Sequence, residues 1–203
     1  LLASSSLDKL SEFKTLLHEY PEVELYPANE FVRNIDGLKH VEKFETYTDN
    51  AIGKARLINQ ASHYPSLADD SGLEVEALGG KPGVRSHRYA IAKAGTTQDQ
   101  ANTQQLLKEL ENQDNRKAKF VCALVLVIEG ILIHATGELE GYIASAPRGQ
   151  NGFGYDPIFV PLNSEKSLAE MSQAEKNTIS HRAKAVHELM AKVKAHGIVF
   201  AKP

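Results

Sequence analysis

Several stretches of this chain carry side chains whose type and spacing suit chemistry. Ala68-Asp69-Asp70-Ser71-Gly72-Leu73 sets two carboxylates side by side after a short apolar run. Adjacent anions repel and resist burial, so a cation is expected near them. Their hard oxygens suit Mg²⁺, which takes one or two carboxylates and fills its shell with water and ligand phosphates. The same residues also suit a plain acidic turn with Gly72 at positive φ. Glu42 precedes Asn50, Lys54 and Arg56, and Asn50 and Lys54 share a helix face by i, i+4 spacing. Lys54 can reach an anion from there or remain a solvated face residue.

Three further stretches present donors or flat surfaces. Ser4-Ser5-Ser6-Leu7-Asp8-Lys9 places hydroxyls and helix-start N–H groups where an anion can sit, with Lys9 adding charge. Ser6 serves equally as a simple N-cap, and the glycines of a Walker loop are missing. In Gly152-Phe153-Gly154-Tyr155-Asp156-Pro157, aromatic rings alternate with glycines, and Asp156 is held extended by the proline. Phe153 and Tyr155 can stack on a flat ligand or simply fill a core. Lys176 and Ser180-His181-Arg182 put cations near a helix start, where they oppose the macrodipole unless an anion or acceptor lies close.

The elements that must position these groups are readable from periodicity. Leu1 to Ala3 ends a short buried strand, and Leu7, Leu10, Phe13, Leu16 and Leu17 trace an amphipathic helix. Val23–Tyr26 suggests a second strand, Thr48–Ala61 a helix, and Ser66–Ala68 a short strand leading into the acidic turn. Leu73–Leu78 alternates like a strand, and Gly79-Gly80-Lys81-Pro82-Gly83 is turn chemistry. A helix is expected over Thr97–Glu111 and a long hairpin over Lys119–Ile143 around Glu129-Gly130. Asp156–Val160 suggests a short strand, and Ser180–His196 a closing helix. The antiparallel hairpin among interspersed helices favours a mixed-sheet α/β fold over a doubly wound parallel one.

Composition bounds the rest. The 203 residues are read as one domain spanning 1–203, with 42% hydrophobic and 24% charged residues, an ordinary globular balance. A net charge of -3 gives no basic footprint for nucleic acid. The lone Cys122 lies in an apolar run and is expected to be a buried, inert thiol. The longest apolar stretch, Phe120–Ile128, is too short to span a bilayer, and no signal peptide is visible, so cytoplasm is the expected compartment. The chain opens on Leu1 without methionine, and one or more preceding residues are expected to be absent.

Taken in order, these motifs resemble the inosine triphosphate pyrophosphatase family, the deaminated-purine NTP pyrophosphatases, over nearly the whole chain. The matching stretches are Leu2 to Lys9, Glu42 to Arg56, Ala68 to Leu73, Gly79-Gly80 with Pro82-Gly83, Ser86 with Arg88-Tyr89, Gly152 to Pro157, and Lys176 with Ser180 to Arg182. The resemblance implies an elongated, two-lobed α/β fold with a central mixed sheet, helices flanking it, the substrate cleft between the lobes, and a homodimer. It implies hydrolysis of ITP, dITP or XTP to the monophosphate and pyrophosphate. Ser4, Ser5, Ser6, Lys9 and Lys54 would hold the triphosphate beside Ser71. Glu42 and Asp70 would ligate Mg²⁺, with Mn²⁺ an alternative. Asp70 would be the proton acceptor, neighboured by Asp69. Phe153, Gly154, Tyr155, Asp156, Lys176, His181 and Arg182 would form the base and phosphate pocket. The chain departs from the family pattern at Ser6, usually Asn, and at Phe44, usually Gly.

Two other readings compete. Leu2 to Ser6 also looks like the opening of the Maf family of nucleotide pyrophosphatases, which continues with Pro-Arg-Arg where this chain has Leu7-Asp8-Lys9. A nucleotide-sensing protein without turnover would explain the changes at Ser6 and Phe44, but has no need of carboxylates beside a triphosphate.

Overall fold

The computed structural model describes residues 1–32 and 43–200. Glu42 lies outside the described residues. Helix α1 spans Leu7–Leu17 and α2 spans Tyr47–Ser62, capped by Ser6 and Thr46 respectively. Strand β1 runs Ser66–Val75, α3 Gln98–Glu109, β2 Lys117–Ile128 and β3 Ile131–Ile143. Strand β4 covers Phe159–Pro161, α4 Gln173–Ile179 and α5 His181–Ala195.

The strands form one antiparallel sheet in the order β1-β2-β3-β4. Glu129 (φ 49°) and Gly130 (φ 80°) make the two-residue turn joining β2 to β3, the conformation that matches strand twist. Parallel bridges from Leu2 to Leu67 and to Pro27 give the architecture its mixed character. They are held by Ala3 N–H to Leu67 O at 2.8 Å and Leu2 N–H to Tyr26 O at 2.8 Å. The expected α/β class with a mixed sheet is borne out.

The chain divides into two compact units. The first comprises Leu1–Asp70, Cys122–Gly137 and Arg182–Pro203; the second comprises Ser71–Val121 and Glu138–His181. In the first unit the pleat of β2 sorts the core. Cys122, Leu124, Leu126 and Ile128 pack with Phe13 and Leu16 of α1 and Val186 and Leu189 of α5. Val125 and Val127 join Ala51, Ala55 and Ile58 of α2. Helices cover both faces, which is why β2 reads as an unbroken apolar run. Strand β1 follows the same rule, Leu67 packing with α1 and α5 and Ala68 with α2.

In the second unit Leu73, Val75, Phe120, Leu139, Ile143 and Phe159 build the core with Leu106 and Leu110. Here β3 alternates buried and exposed residues. Gly141 faces Pro161 across the β3–β4 ladder with its Cα close against the neighbouring strand.

Several local expectations change. Ser66–Val75 is one continuous strand that runs straight through Asp69-Asp70-Ser71-Gly72, and Gly72 has no positive φ. The acidic turn is therefore replaced by extended backbone. Glu76–Leu78 forms a 3₁₀ turn instead of continuing the strand. Val23–Tyr26 makes no ladder: pairing with Leu2 is confined to the single bridge at Pro27, made by Leu2 N–H to Tyr26 O and Ala28 N–H to Leu2 O. Asp156–Ile158 is a 3₁₀ turn and only Phe159–Pro161 is strand. Helix α4 was not foreseen, although Ser172 and Glu175 form its capping box.

Replacing Gly141 by alanine would place a Cβ 2.3 Å from the Val160 carbonyl oxygen and 2.7 Å from the Phe159 ring. Neither can retreat without moving β4, so Gly141→Ala should cost about 1–3 kcal/mol. Urea unfolding would register this as a lower midpoint; a wild-type midpoint would refute the tight β3–β4 contact.

Candidate active site

Asp69 and Asp70 leave β1 on opposite faces because successive residues of an extended strand alternate. Asp69 follows Leu67 toward α1 and α5, where Lys9 Nζ lies 2.8 Å and Arg182 Nε 3.9 Å from its Oδ2. Asp70 follows Ala68 toward α2. There Lys54 Nζ donates to Oδ1 at 3.1 Å and Asn50 Nδ2 donates to Oδ2 at 3.0 Å. The pleat gives each of two adjacent carboxylates its own set of cations and donors.

Both carboxylates are buried, at 1% and 8% exposure. Burial alone pushes each carboxyl up. At Asp69 the charges of Lys9, then Arg182 and Lys54, outweigh burial and hold the group well below the usual carboxylate range. At Asp70 burial prevails over Lys54 and Lys9, and the adjacent Asp69 charge adds to it, so the carboxyl sits above its ordinary value. Asp69 is thus a fixed anion that anchors cations, while Asp70 is the better proton acceptor of the two.

The neighbouring groups extend this framework. Lys54 is buried, so the solvated alternative is set aside. Asn50 clasps the main chain ahead of α2, accepting from Phe44 N–H at 3.0 Å and donating to Phe44 O at 3.2 Å. Arg182 Nη1 donates to Glu12 Oε2 at 3.0 Å, and both side chains are buried. The anion that the start of α5 requires is thus supplied by the protein itself. Glu12 escaped the sequence reading because a polar residue between the apolar positions of α1 looks solvent-facing. Ser4 Oγ accepts from Ser6 N–H at 3.2 Å, and Ser6 Oγ accepts from Lys9 N–H at 3.3 Å. Ser6 therefore is the cap of α1, its proton still available to donate, while Ser5 is exposed.

In the second unit, Lys176 Nζ donates to Asp156 Oδ2 at 2.6 Å and lies 4.9 Å from the Phe153 ring centroid. The same Asp156 oxygen accepts from Phe153 N–H at 3.0 Å. Gly152, at φ +73°, allows this approach, since a Cβ there would lie 2.1 Å from Asp156 Oδ2. Gly154 N–H donates to Asp99 at 2.7 Å, a partner that no sequence motif had singled out. Tyr155 is a core residue whose hydroxyl donates to Ser86 O at 2.8 Å, which ties this loop to the Gly83–Arg88 turn. Burial pushes its phenol up, with Tyr89, Asp99 and Glu109 adding to the effect. His181 stacks on Phe120 with ring centroids 4.8 Å apart. Ser71, half-buried in β1, begins this unit.

The structure therefore brings Lys9, Lys54, Asp69, Asp70 and Arg182 together in the first unit, and Phe153, Gly154, Asp156 and Lys176 in the second. It turns the Tyr155 ring into the core instead.

Glu12→Gln keeps the shape of the Arg182 partner but deletes its charge. The expected loss of stability is about 3 kcal/mol, the lower end for breaking a buried pair, because Asp69 remains near the guanidinium. Wild-type stability in urea would show that Glu12 does not hold Arg182.

Comparison with known proteins identifies the family. The Ham1 family model matches residues 1–192. A protein of Aquifex aeolicus named dITP/XTP pyrophosphatase is 42% identical over 202 residues, covering 94% of each chain. The solved Ham1 protein of Staphylococcus aureus superposes with a TM-score of 0.83 at 36% identity, covering 96% of this chain and 97% of that one. A HAM1 protein of Coxiella burnetii gives 0.80 at 38% identity, with coverage of 96% and 97%. The motif resemblance seen in the sequence is borne out, and this chain belongs to the Ham1 family.

Proposed function

We propose that this protein is a nucleoside-triphosphate pyrophosphatase that hydrolyses deaminated purine nucleotides, dITP, ITP and XTP, to the monophosphate and pyrophosphate. The names of its relatives point to this activity. The observation that carries the reading is the division of Asp69 and Asp70 onto opposite faces of β1, each beside its own lysine. Such an arrangement fixes cations for phosphates and leaves one buried carboxylate poised to take a proton.

The donors fit a divalent ion of the Mg²⁺ type. Asp70 offers hard oxygens flanked by Lys54 and Asn50, and no cluster of three or more His, Cys, Asp or Glu forms a closed metal cage among the described residues. Mg²⁺ needs only one or two carboxylates when phosphates and water complete its shell. Asp70, together with Glu42, would hold it, and the bound ion would supply neutralising charge at the phosphate oxygens.

The chain's own groups do the rest. Lys9 and Lys54 bind phosphate oxygens, and Ser4, Ser5, Ser6 and Ser71 donate hydroxyl hydrogen bonds to them. Asp70 orients a water for in-line attack on the α-phosphorus and accepts its proton. Asp69 stays ionised and keeps Lys9 and Arg182 in place. Phase space for the reactants is narrowed by this positioning, which is where phosphoryl chemistry gains most. Phe153 stacks on the base with Asp156, Lys176 and His181 of the second unit beside it, while Arg182 adds its charge to that of Lys9 in the first unit. A donor facing the purine six-position accepts a 6-oxo group and meets adenine's amino group donor against donor, a mismatch that leaves buried polar groups unpaired.

The role of Asp70 and the substrate class are tested together by measuring pyrophosphate release from ITP, dITP, XTP, GTP, ATP and dTTP, with Mg²⁺ or with chelator. The oxo-purines should dominate and chelator should abolish turnover. Asp70→Asn should lose on the order of 10²-fold or more in rate, the scale of general-base help. Preferred hydrolysis of dTTP would favour a Maf-like activity, and tight ITP binding without pyrophosphate release would favour a sensor. We also propose a homodimer: sedimentation should give twice the mass of one chain, and a monomer at working concentrations would exclude it.

A further inference from the structure

The Gly152–Tyr155 segment is held by two carboxylates, each taking one main-chain N–H. Asp156 accepts from Phe153 and Asp99 accepts from Gly154, at 3.0 and 2.7 Å. Asp156 belongs to the same turn, whereas Asp99 reaches in from the first turn of α3. That helix start has its own cap: Thr97 Oγ1 accepts from Gln100 N–H at 3.2 Å, and the Gln100 side chain accepts from Thr97 N–H at 3.0 Å. Asp99 is thus not needed to cap α3, and its carboxylate is turned onto the loop. Phe153 lies between the two captured amides. Its own N–H is fixed on one side and that of the next residue on the other, so the backbone torsions that aim its ring are gripped at both ends. Gly154 has no side chain to steady it, which makes an external anchor the means of ordering this point.

We infer that Asp99 is a positioning residue for base recognition: its hold on the Gly154 N–H sets the plane of the Phe153 ring on which the purine stacks. This rests on the reading of Phe153 to Asp156 as the base pocket. Asp99 acts through the loop and touches neither the phosphates nor the attacking water. Its loss should weaken substrate binding and spare the chemical step.

The test compares wild type, Asp99→Asn and Asp99→Ala in steady-state dITP hydrolysis, amide hydrogen exchange across residues 151–155, and thermal unfolding. The asparagine keeps an acceptor oxygen and removes the charge; the alanine removes both. Asp99→Ala should raise KM for dITP about tenfold, the scale of one hydrogen bond to a charged group, with kcat within about twofold. Exchange at Gly154 should accelerate, and Asp99→Asn should stay within about twofold of wild type in KM and kcat. Equal loss in both variants, in parallel with a lowered Tm, would assign Asp99 to the α3 dipole and overturn the inference. An unchanged KM in Asp99→Ala despite faster Gly154 exchange would overturn it as well. Wild-type turnover separates the two failures: a wild type inactive on dITP sinks the substrate reading, whereas an active wild type with an indifferent Asp99→Ala sinks only the role of Asp99.

Discussion

Two adjacent buried carboxylates in an extended strand are the constraint around which the first unit is organised. Ionised side chains lose several kcal/mol of effective solvation on burial, and neighbouring anions aggravate this. The strand resolves the conflict geometrically, by sending Asp69 to α1 and α5 and Asp70 to α2. Both helices on the Asp69 side must then bring a cation to the same oxygen. Arg182, so placed, sits at the start of α5 where the helix dipole opposes it, and buried Glu12 completes the balance. Ion pairs of this kind are weak evidence for stability, since an apolar replacement often does as well. Their return is a set of charged groups fixed before any ligand arrives, the preorganisation that electrostatic catalysis needs.

The second unit solves a related problem with the backbone. A glycine-rich loop gains close approach at the expense of order. Here acidic side chains capture its N–H groups, one from within the turn and one from α3, while Lys176 neutralises the buried Asp156. Tyr155 anchors the same loop from beneath through Ser86, whose hydroxyl also accepts from Leu73 N–H at 2.8 Å. Carboxylates in both units therefore act first as positioning groups, and Asp70 combines burial with a raised carboxyl.

Much of this was legible in the sequence because local chemistry and tertiary role coincide. The β2–β3 hairpin, α1, α2 and the cap at Ser6 follow from periodicity and turn chemistry, and the structure keeps them. The i, i+4 pairing of Asn50 with Lys54 also held, since both reach Asp70. The acidic turn failed for a tertiary reason. Asp-Asp-Ser-Gly looks like a turn because each residue is a poor strand former in isolation; burial against helices on both faces overrides that preference. Once the strand is continuous, pleat alternation assigns the partners of Asp69 and Asp70 without further information. Glu12 and Asp99 were invisible for a different reason: their partners lie 170 and 55 residues away, and nothing in the pattern of a helix announces a polar residue turned inward.

The charge balance of the first unit bears on how an anion could be received there. Lys9, Lys54 and Arg182 stand against Glu12, Asp69 and Asp70, three cations against three carboxylates. Among the described residues the cluster has no surplus positive charge to offer a triphosphate, and its low-dielectric setting magnifies any uncompensated negative charge. A triphosphate can gain the lysines only by competing with carboxylates already within hydrogen-bond reach, or by arriving with a cation of its own. The second route preserves every pair that fixes the site, and it adds charge next to Asp70, where burial leaves the carboxylate least well compensated. On electrostatic grounds alone, a substrate carried in as a divalent-metal complex suits this cluster better than the bare anion does.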